Sequence, residues 1–377
     1  MRLRSASVCC LIVLLVVLSA SVQAAGSACA KPAILNDGWQ SVDVAASGFD
    51  ESRLCALLAR ATNGEVNLHG MVIERRGRLV AERYRNGQDK GVYSLFSRDT
   101  SFDATVAHDT RSISKSVLSL LLGVAIAQGK IASVTAPVLD FYPESADLAT
   151  PERKAITLQH LLTMTSGLDW SESGGIPNDE TRLFWKSSHA RYLLERPSVA
   201  VLGSVFNYNS GGTAVLADIL MRATKMPLRD FARINLFEPL GITDWEWVGD
   251  VHGRPLAFTG LRLRPRDMLK IARLVADRGQ WQGRQVVPVE WIGASMQPRV
   301  SADFGGLKYG YQWWMGSVDW QGKKLRWSGG FGNGAQRIFV VPDLDMTVAI
   351  TAGAYDNAQA ASYVNALLQE VVSTVQQ

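Results

Sequence analysis

RSISKSVLSLLLGVAIAQGK, residues 111–130, sets a long apolar run behind a serine and a lysine that are three residues apart. Asp109 and Thr110 offer N-cap side chains and Gly129 offers a C-cap, so the pattern predicts a helix from about Arg111 to Gln128. Apolar residues occur almost all round this helix, which is typical of a helix buried in the core. A lysine at the start of such a helix needs a chemical explanation.

Ser112 is expected in the first turn, where backbone N–H groups lack intrahelical acceptors and the helix dipole favours negative charge. Lys115 would lie on the same face, within reach of the Ser112 hydroxyl. Burial lowers the pKa of an ammonium group, and a neutral lysine is a base for serine. The alternative is a solvent-facing lysine, since a random chain of this length contains about one Ser-x-x-Lys by chance.

The N-terminus predicts an exported protein. Residues 1–24 place two arginines ahead of an apolar run and end in VQA, which is typical of a cleaved signal peptide. We expect the mature chain to begin near Ala25 and to be secreted or periplasmic, the alternative being an uncleaved membrane anchor. Cys29 and Cys55 then remain, and export favours a disulfide between them over two buried free thiols.

Composition excludes several other functions. The chain has 377 residues, 47% of them hydrophobic, and its formal charge of +4 falls to +2 without Arg2 and Arg4. No basic patch indicates nucleic-acid binding. The histidines form no metal-binding pair, SGGFGNG lacks the lysine of a phosphate loop, and no Gly-x-Ser-x-Gly elbow is present. We therefore expect no cofactor, no metal and no stable membrane span after cleavage.

The pattern of predicted elements indicates an α/β (α+β) fold. HGMVIERRGRLVAERYRNG, residues 69–87, predicts a β-hairpin, and strand-like runs return near the C-terminus before a last helix. Residues 137–250 are mostly helical or loop-like. We predict one discontinuous α/β domain, residues 25–136 and 251–377, with a mainly helical domain of residues 137–250 inserted. A pocket is expected where the two meet.

Three motifs in order complete a known pattern. Ser112-Ile-Ser-Lys115 comes first, FNYNSGG supplies Tyr208 and Ser210, and RWSGGFGNG places Trp327-Ser328-Gly329 third. Over nearly the whole mature chain, this sequence resembles the serine β-lactamase and penicillin-binding superfamily. The resemblance is to its class C-like branch, which includes esterases and 6-aminohexanoate-dimer hydrolases. It implies a β-lactamase-like antiparallel sheet flanked by helices.

The resemblance also implies a role for each motif residue. Ser112 would attack a carbonyl to form an acyl-enzyme, with Lys115 and Tyr208 sharing the proton as general base. The N–H groups of Ser112 and Gly330 would hold the oxyanion. Ser210, Ser328 and Gly329 would contribute contacts within the site or to the substrate, which the resemblance implies is a small ester, amide or peptide.

Two departures from the family pattern bear on the substrate. Trp327 stands where many relatives carry a cation that attracts a carboxylate, which favours a small ester or linear amide over a β-lactam. Ala335 replaces a usual glycine near the expected oxyanion strand. Trp327 is expected to line an acyl pocket, and Trp185 lies in a loop that could close over substrate. The alternatives are a D-peptide hydrolase or class C-like β-lactamase, and a catalytically silent peptide- or lipid-binding protein.

Overall fold

The computed structural model describes residues 29–173, 175–302 and 305–376. The predicted signal peptide, residues 1–24, lies outside the described residues. In the described part of the chain, no helix has both the length and the apolar character needed to cross a bilayer. Cys29 and Cys55 are joined by a disulfide that connects the N-terminal arm to the first helix.

A mixed sheet of nine strands is the centre of the described structure. Its strands are β1 (Gln40–Ser41), β2 (Leu68–Arg75), β3 (Arg78–Tyr84), β4 (Val300–Ser301), β5 (Lys308–Tyr309), β6 (Trp314–Trp320), β7 (Lys323–Gly332), β8 (Gln336–Val341) and β9 (Met346–Ala352). They lie in the order β1-β3-β2-β9-β8-β7-β6-β5-β4. The short β1–β3 pairing is parallel and the others are antiparallel.

Helices pack on both faces of this sheet. The helices of the described residues are α1 (Glu51–Asn63), α2 (Ile113–Ala127), α3 (Pro151–Lys154), α4 (Leu158–Leu162), α5 (Asp179–Leu183), α6 (His189–Leu194), α7 (Ser210–Thr224), α8 (Leu228–Ala232), α9 (Pro265–Ala276), α10 (Val289–Ser295) and α11 (Ala358–Ser373). The predicted α/β class is confirmed. The predicted hairpin is also present, with Arg76 and Gly77 at positive φ in the turn between β2 and β3.

Shorter elements complete the chain. Strands outside the large sheet are Gly87–Asp89, Arg98–Thr100, His108–Asp109, Glu246–Trp247, Leu261–Leu263, Gln280–Trp281 and Arg284–Gln285. Short 3₁₀ turns are Val44–Ser47, Val138–Phe141, Pro143–Leu148 and Pro342–Leu344, and Arg233–Phe237 is a π turn. In the described part of residues 137–250, no strand joins the large sheet. The proposed division into an insertion and a discontinuous domain stays a prediction.

Two apolar clusters cover the two faces of the sheet. Successive side chains of a strand point to opposite faces, and β8 shows this directly. Ile338 and Val340 pack into the first cluster with α2 and the helical segment, whereas Phe339 and Val341 pack into the second with α1 and α11. Helix α2 is buried almost all round, as its composition predicts.

The start of α2 differs from the expected capping. Ser112 is the N-cap residue, and it makes no side-chain capping bond. Asp109 instead belongs to a short strand, and the Thr110 hydroxyl donates to the Leu261 carbonyl at 2.8 Å. The prediction that Asp109 or Thr110 caps the helix is therefore wrong, because pairing with a distant strand takes both residues. At the other end, Gly129 has positive φ, which suits a helix terminus.

Candidate active site

The first turn of α2 brings the serine and the lysine together. Lys115 Nζ lies 2.9 Å from Ser112 Oγ, and it also donates to the Phe258 carbonyl at 3.0 Å. Ser112 is partly exposed, whereas Lys115 is only 1% exposed. A reagent can therefore approach the hydroxyl from solvent while the amine stays inside the protein.

Burial changes the proton affinity of Lys115. It lowers the pKa of the ammonium group, and the nearby Glu172 and Glu180 oppose this by raising the pKa. In the described residues, Lys115 forms no salt bridge with a carboxylate. An amine that is buried beside a hydroxyl and a carbonyl loses its proton more easily than a solvated lysine does.

Tyr208 is the third member of this group. The Lys115 Nζ atom lies 4.8 Å from the centroid of the Tyr208 ring, which stacks on Trp314 with centroids 6.0 Å apart. Burial raises the Tyr208 pKa well above its ordinary value, as does the charge of Glu172, while a hydrogen bond with Ser112 lowers it. The phenol therefore stays protonated beside the serine.

Strand β7 passes directly beside this turn. A Cβ atom built on Gly330 would lie 3.1 Å from Ser116 Oγ and 3.3 Å from Ile113 Cγ2, so the strand runs against the start of α2. Gly332 is closer still, since its Cβ would meet the Thr110 carbonyl oxygen at 2.3 Å. Among the described residues, the Ser112 amide has no hydrogen-bond partner. These contacts place the backbone of Gly330 near a free amide of Ser112.

The third-motif residues Trp327 and Ser328 are more buried than is expected of residues that line a pocket. Trp327 is 8% exposed, stacks on Phe331 with centroids 5.7 Å apart and contacts Phe339 edge-on at 5.3 Å. Ser328 is also buried, and a side chain at Gly329 would collide with the Ile338 carbonyl, 2.6 Å from its Cβ. The Trp327 ring packs in the second apolar cluster. Its expected contact with substrate stays a prediction.

Two carboxylates complete the site and were not predicted. The Ser210 amide donates to Glu172 Oε1 at 2.5 Å, and the Ser210 hydroxyl donates to Glu180 Oε1 at 3.2 Å. Ser210 itself is fully buried, so its hydroxyl serves the site's internal hydrogen bonding. In the sequence, both glutamates lie in a polar loop and look like solvated surface residues. Only the tertiary structure brings them to the second motif.

Trp185 lies at the outer side of the site. It is 68% exposed, and it follows Phe184, whose ring is 5.9 Å from that of Phe258. Phe258 is the residue whose carbonyl accepts from Lys115. Tyr93, half exposed, contacts Phe184 at 5.5 Å from another segment. An aromatic wall therefore extends from the buried lysine towards solvent.

With this geometry in place, the comparison with known proteins defines the class. A family model described as Beta-lactamase matches residues 58–372, and the chain belongs to that family. The chain is 29% identical over 224 residues to Esterase EstB of Burkholderia gladioli, a match that covers 55% of each protein. It is 25% identical over 289 residues to 6-aminohexanoate-dimer hydrolase of Paenarthrobacter ureafaciens, covering 70% of this chain and 69% of that one. The chain thus spans about half the length of the first relative, named as an esterase, and about two thirds of the length of the second, named as a dimer hydrolase.

Solved structures agree on the fold. A class C beta lactamase from Rhodobacter sphaeroides superposes with a TM-score of 0.63 at 15% identity, covering 85% of this chain and 99% of that one. At this level of identity the similarity supports the β-lactamase-like fold and carries no argument about substrate. In the described residues, no group of three metal-ligating side chains could hold a metal ion.

Proposed function

We propose that the protein is an exported serine hydrolase that cleaves a small ester or a linear amide through an acyl-enzyme on Ser112. The observation that carries this proposal is the 2.9 Å approach of the buried Lys115 amine to the partly exposed Ser112 hydroxyl. A nucleophile is exposed to substrate, and its base is protected from water and lacks an ion-pair partner among the described residues.

Acylation follows from the positions of three side chains. Ser112 Oγ bonds to the substrate carbonyl carbon as its proton passes to the neutral Lys115 amine. The carbonyl oxygen becomes an oxyanion, which we expect the Ser112 and Gly330 amides to hold. When the carbon–oxygen or carbon–nitrogen bond to the leaving group breaks, Lys115 returns the proton to that group through the Tyr208 hydroxyl.

Deacylation repeats these steps with water. Water adds to the acyl carbon, its proton passes through Tyr208 to Lys115, and Ser112 leaves as the alkoxide and regains a proton. A carboxylic acid is released, and the enzyme returns to its starting state. No cofactor is required in this sequence of steps.

The substrate class rests on the third motif and on the relatives. Trp327-Ser328-Gly329 provides no positive charge where a carboxylate-binding cation would stand. The relatives are named as an esterase and as a 6-aminohexanoate-dimer hydrolase. A small neutral ester or a linear amide therefore fits better than a β-lactam or a peptide C-terminus.

The test is intact mass after a fluorophosphonate or a penicillin is added to the mature protein, followed by turnover of p-nitrophenyl butyrate. We expect a fluorophosphonate adduct and ester turnover, both lost in Ser112→Ala and kept in Ser317→Ala. Ser317 is an exposed serine on β6 and serves as the matched control. A long-lived penicillin adduct without ester turnover would instead indicate a penicillin-binding enzyme. A folded protein with neither adduct nor turnover would be a binding protein.

Export is part of the same proposal. It rests on the sequence of residues 1–24 and on the Cys29–Cys55 disulfide, a bond typical of oxidising compartments. Mass spectrometry of protein recovered from a secreting host should show a chain that begins near Ala25. Reduction should raise its mass by two hydrogens. A full-length chain retained in the cytoplasm would contradict this.

A further inference from the structure

The loop between α4 and α5 and the helix α5 itself bring two glutamates under the second motif. Glu172 Oε1 accepts from the Ser210 amide at 2.5 Å and from the Trp170 indole at 2.8 Å. Glu180, in the first turn of α5, accepts from the Ser210 hydroxyl at 3.2 Å. Since Ser210 is two residues beyond Tyr208, both carboxylates are hydrogen-bonded to the segment that carries Tyr208.

The charged groups around Glu180 identify the cations with which its carboxylate can interact. Lys115 and Arg111 are the positive groups facing it, and Glu172 is the negative one. The adjacent Asp179 faces elsewhere, because Arg182, Arg196 and Tyr192 all contact its carboxylate. Arg111 also has other partners, the Lys90 carbonyl and the ring of Tyr355. Lys115 is the one of the two cations that is buried inside the proposed site.

We propose that Glu172 and Glu180 are positioning residues that supply the counter-charge of Lys115 when it takes the proton from Ser112. The pair acts across Ser210 and does not touch the amine, so Lys115 keeps its place beside the nucleophile. This inference rests on the proposed function, and it assigns a role to two residues that the catalytic motifs do not include.

The two carboxylates shift the pKa of Lys115, although they make no direct contact with it among the described residues. Both carboxylates raise the Lys115 pKa against the lowering caused by burial. Burial and the neighbouring Glu172 raise the Glu180 pKa to about 7, so Glu180 gains its charge as the pH rises through neutrality. Above that pH the pair stabilises the ammonium form, and neutral Lys115 then predominates only at a higher pH. Removing the Glu180 charge should therefore make the base available at lower pH.

The experiment follows the pH dependence of Ser112 labelling by a neutral fluorophosphonate, read as intact mass at timed intervals. Glu180→Gln keeps an oxygen for the Ser210 hydroxyl and removes the charge. We expect the pH midpoint of the labelling rate to move down by about one unit, so that labelling well below the wild-type midpoint becomes up to about tenfold faster. Glu172→Gln should move it in the same direction, and Glu180→Asp should restore the wild-type midpoint. Glu290→Gln, which removes an exposed glutamate on α10, should leave the midpoint unchanged.

The outcomes separate the two proposals. If the wild type is not labelled at Ser112 at any pH, the proposed function fails. If it is labelled, but Glu180→Gln and Glu172→Gln lower the rate uniformly with unchanged midpoints, the glutamates are only structural and this inference is overturned. Circular dichroism spectra that match the wild type ensure that folded variants are compared.

Discussion

Lys115 and Lys270 are both buried, each in a buried helix, and they have different partners. Each is at most 1% exposed and donates to a backbone carbonyl, and each reaches a side chain three residues earlier. For Lys270 that side chain is Asp267, at 2.8 Å, and for Lys115 it is Ser112, at 2.9 Å. A carboxylate at this spacing makes an ion pair, which supports structure. A hydroxyl at the same spacing leaves the amine able to act as a base.

The largest difference should appear in activity. Lys115→Met removes the base and keeps the volume, so kcat/KM for ester turnover should fall by about 10²–10⁴-fold. Lys270→Met lies outside the proposed site and should retain kcat/KM per folded molecule. Ester kinetics normalised to folded protein check this. Comparable losses in both variants would show that the two lysines do not differ in function.

The free energy of unfolding should fall more in Lys270→Met than in Lys115→Met. Lys270→Met leaves the buried Asp267 without its cation and should lower the free energy of unfolding by about 3 kcal/mol, measured by urea denaturation. The double variant Asp267→Asn/Lys270→Met should recover most of that loss, because no unpaired charge remains. If the double variant is as unstable as the single one, packing rather than charge explains the effect.

Two buried histidines extend the comparison to bases without a carboxylate partner. His69 and His108 both contact Phe102, and burial lowers their pKa values to about 4 and about 3. Their folded pKa values lie below the ordinary value of about 6.5, so the unfolded chain binds more protons as the pH falls. The contribution of these two histidines to stability is therefore present above pH 6.5 and is lost as the pH falls, by about 2 kcal/mol for the pair between pH 7 and pH 5.5.

Urea denaturation at several pH values tests this acid sensitivity. His108→Phe removes one titrating group, so between pH 7 and pH 5.5 its free energy of unfolding should change by about 1 kcal/mol less in the destabilising direction than that of the wild type. His252, which is more exposed, supplies the matched control, and His252→Gln should leave the slope unchanged. An unchanged slope in His108→Phe would place the acid sensitivity elsewhere.

The smallest effect is expected at Ala335. Its φ of 67° lies in the left-handed region, and its methyl group is buried. Ala335→Gly should relieve about 1–2 kcal/mol of strain. It should lose about 0.8 kcal/mol of apolar burial and about 0.5–1 kcal/mol through added chain entropy. These terms nearly cancel, so the free energy of unfolding should change by less than about 1 kcal/mol, and a larger change would show that one term dominates.

Local sequence patterns predicted much of this protein. The β2–β3 hairpin, the all-round apolar helix α2 and its serine–lysine spacing depend on contacts a few residues apart, and each appears in the structure. The motif order also led to the β-lactamase-like fold and to the family. Short-range periodicity decides such features, because it sets which side chains share a face.

The rest was decided by contacts distant in the sequence. Asp109 belongs to a strand that pairs with the strand Leu261–Leu263, and the Thr110 hydroxyl donates to the Leu261 carbonyl. Neither side chain therefore caps helix α2. Trp327 packs against Phe331 and Phe339 in the second apolar cluster, and its motif position alone does not show these neighbours. Glu172 and Glu180 look like polar loop residues until α7 brings Ser210 against them. The sequence alone determined which groups are proposed to carry the chemistry. Burial and charge at those groups depend on which distant segments surround them, and only the tertiary structure decided that.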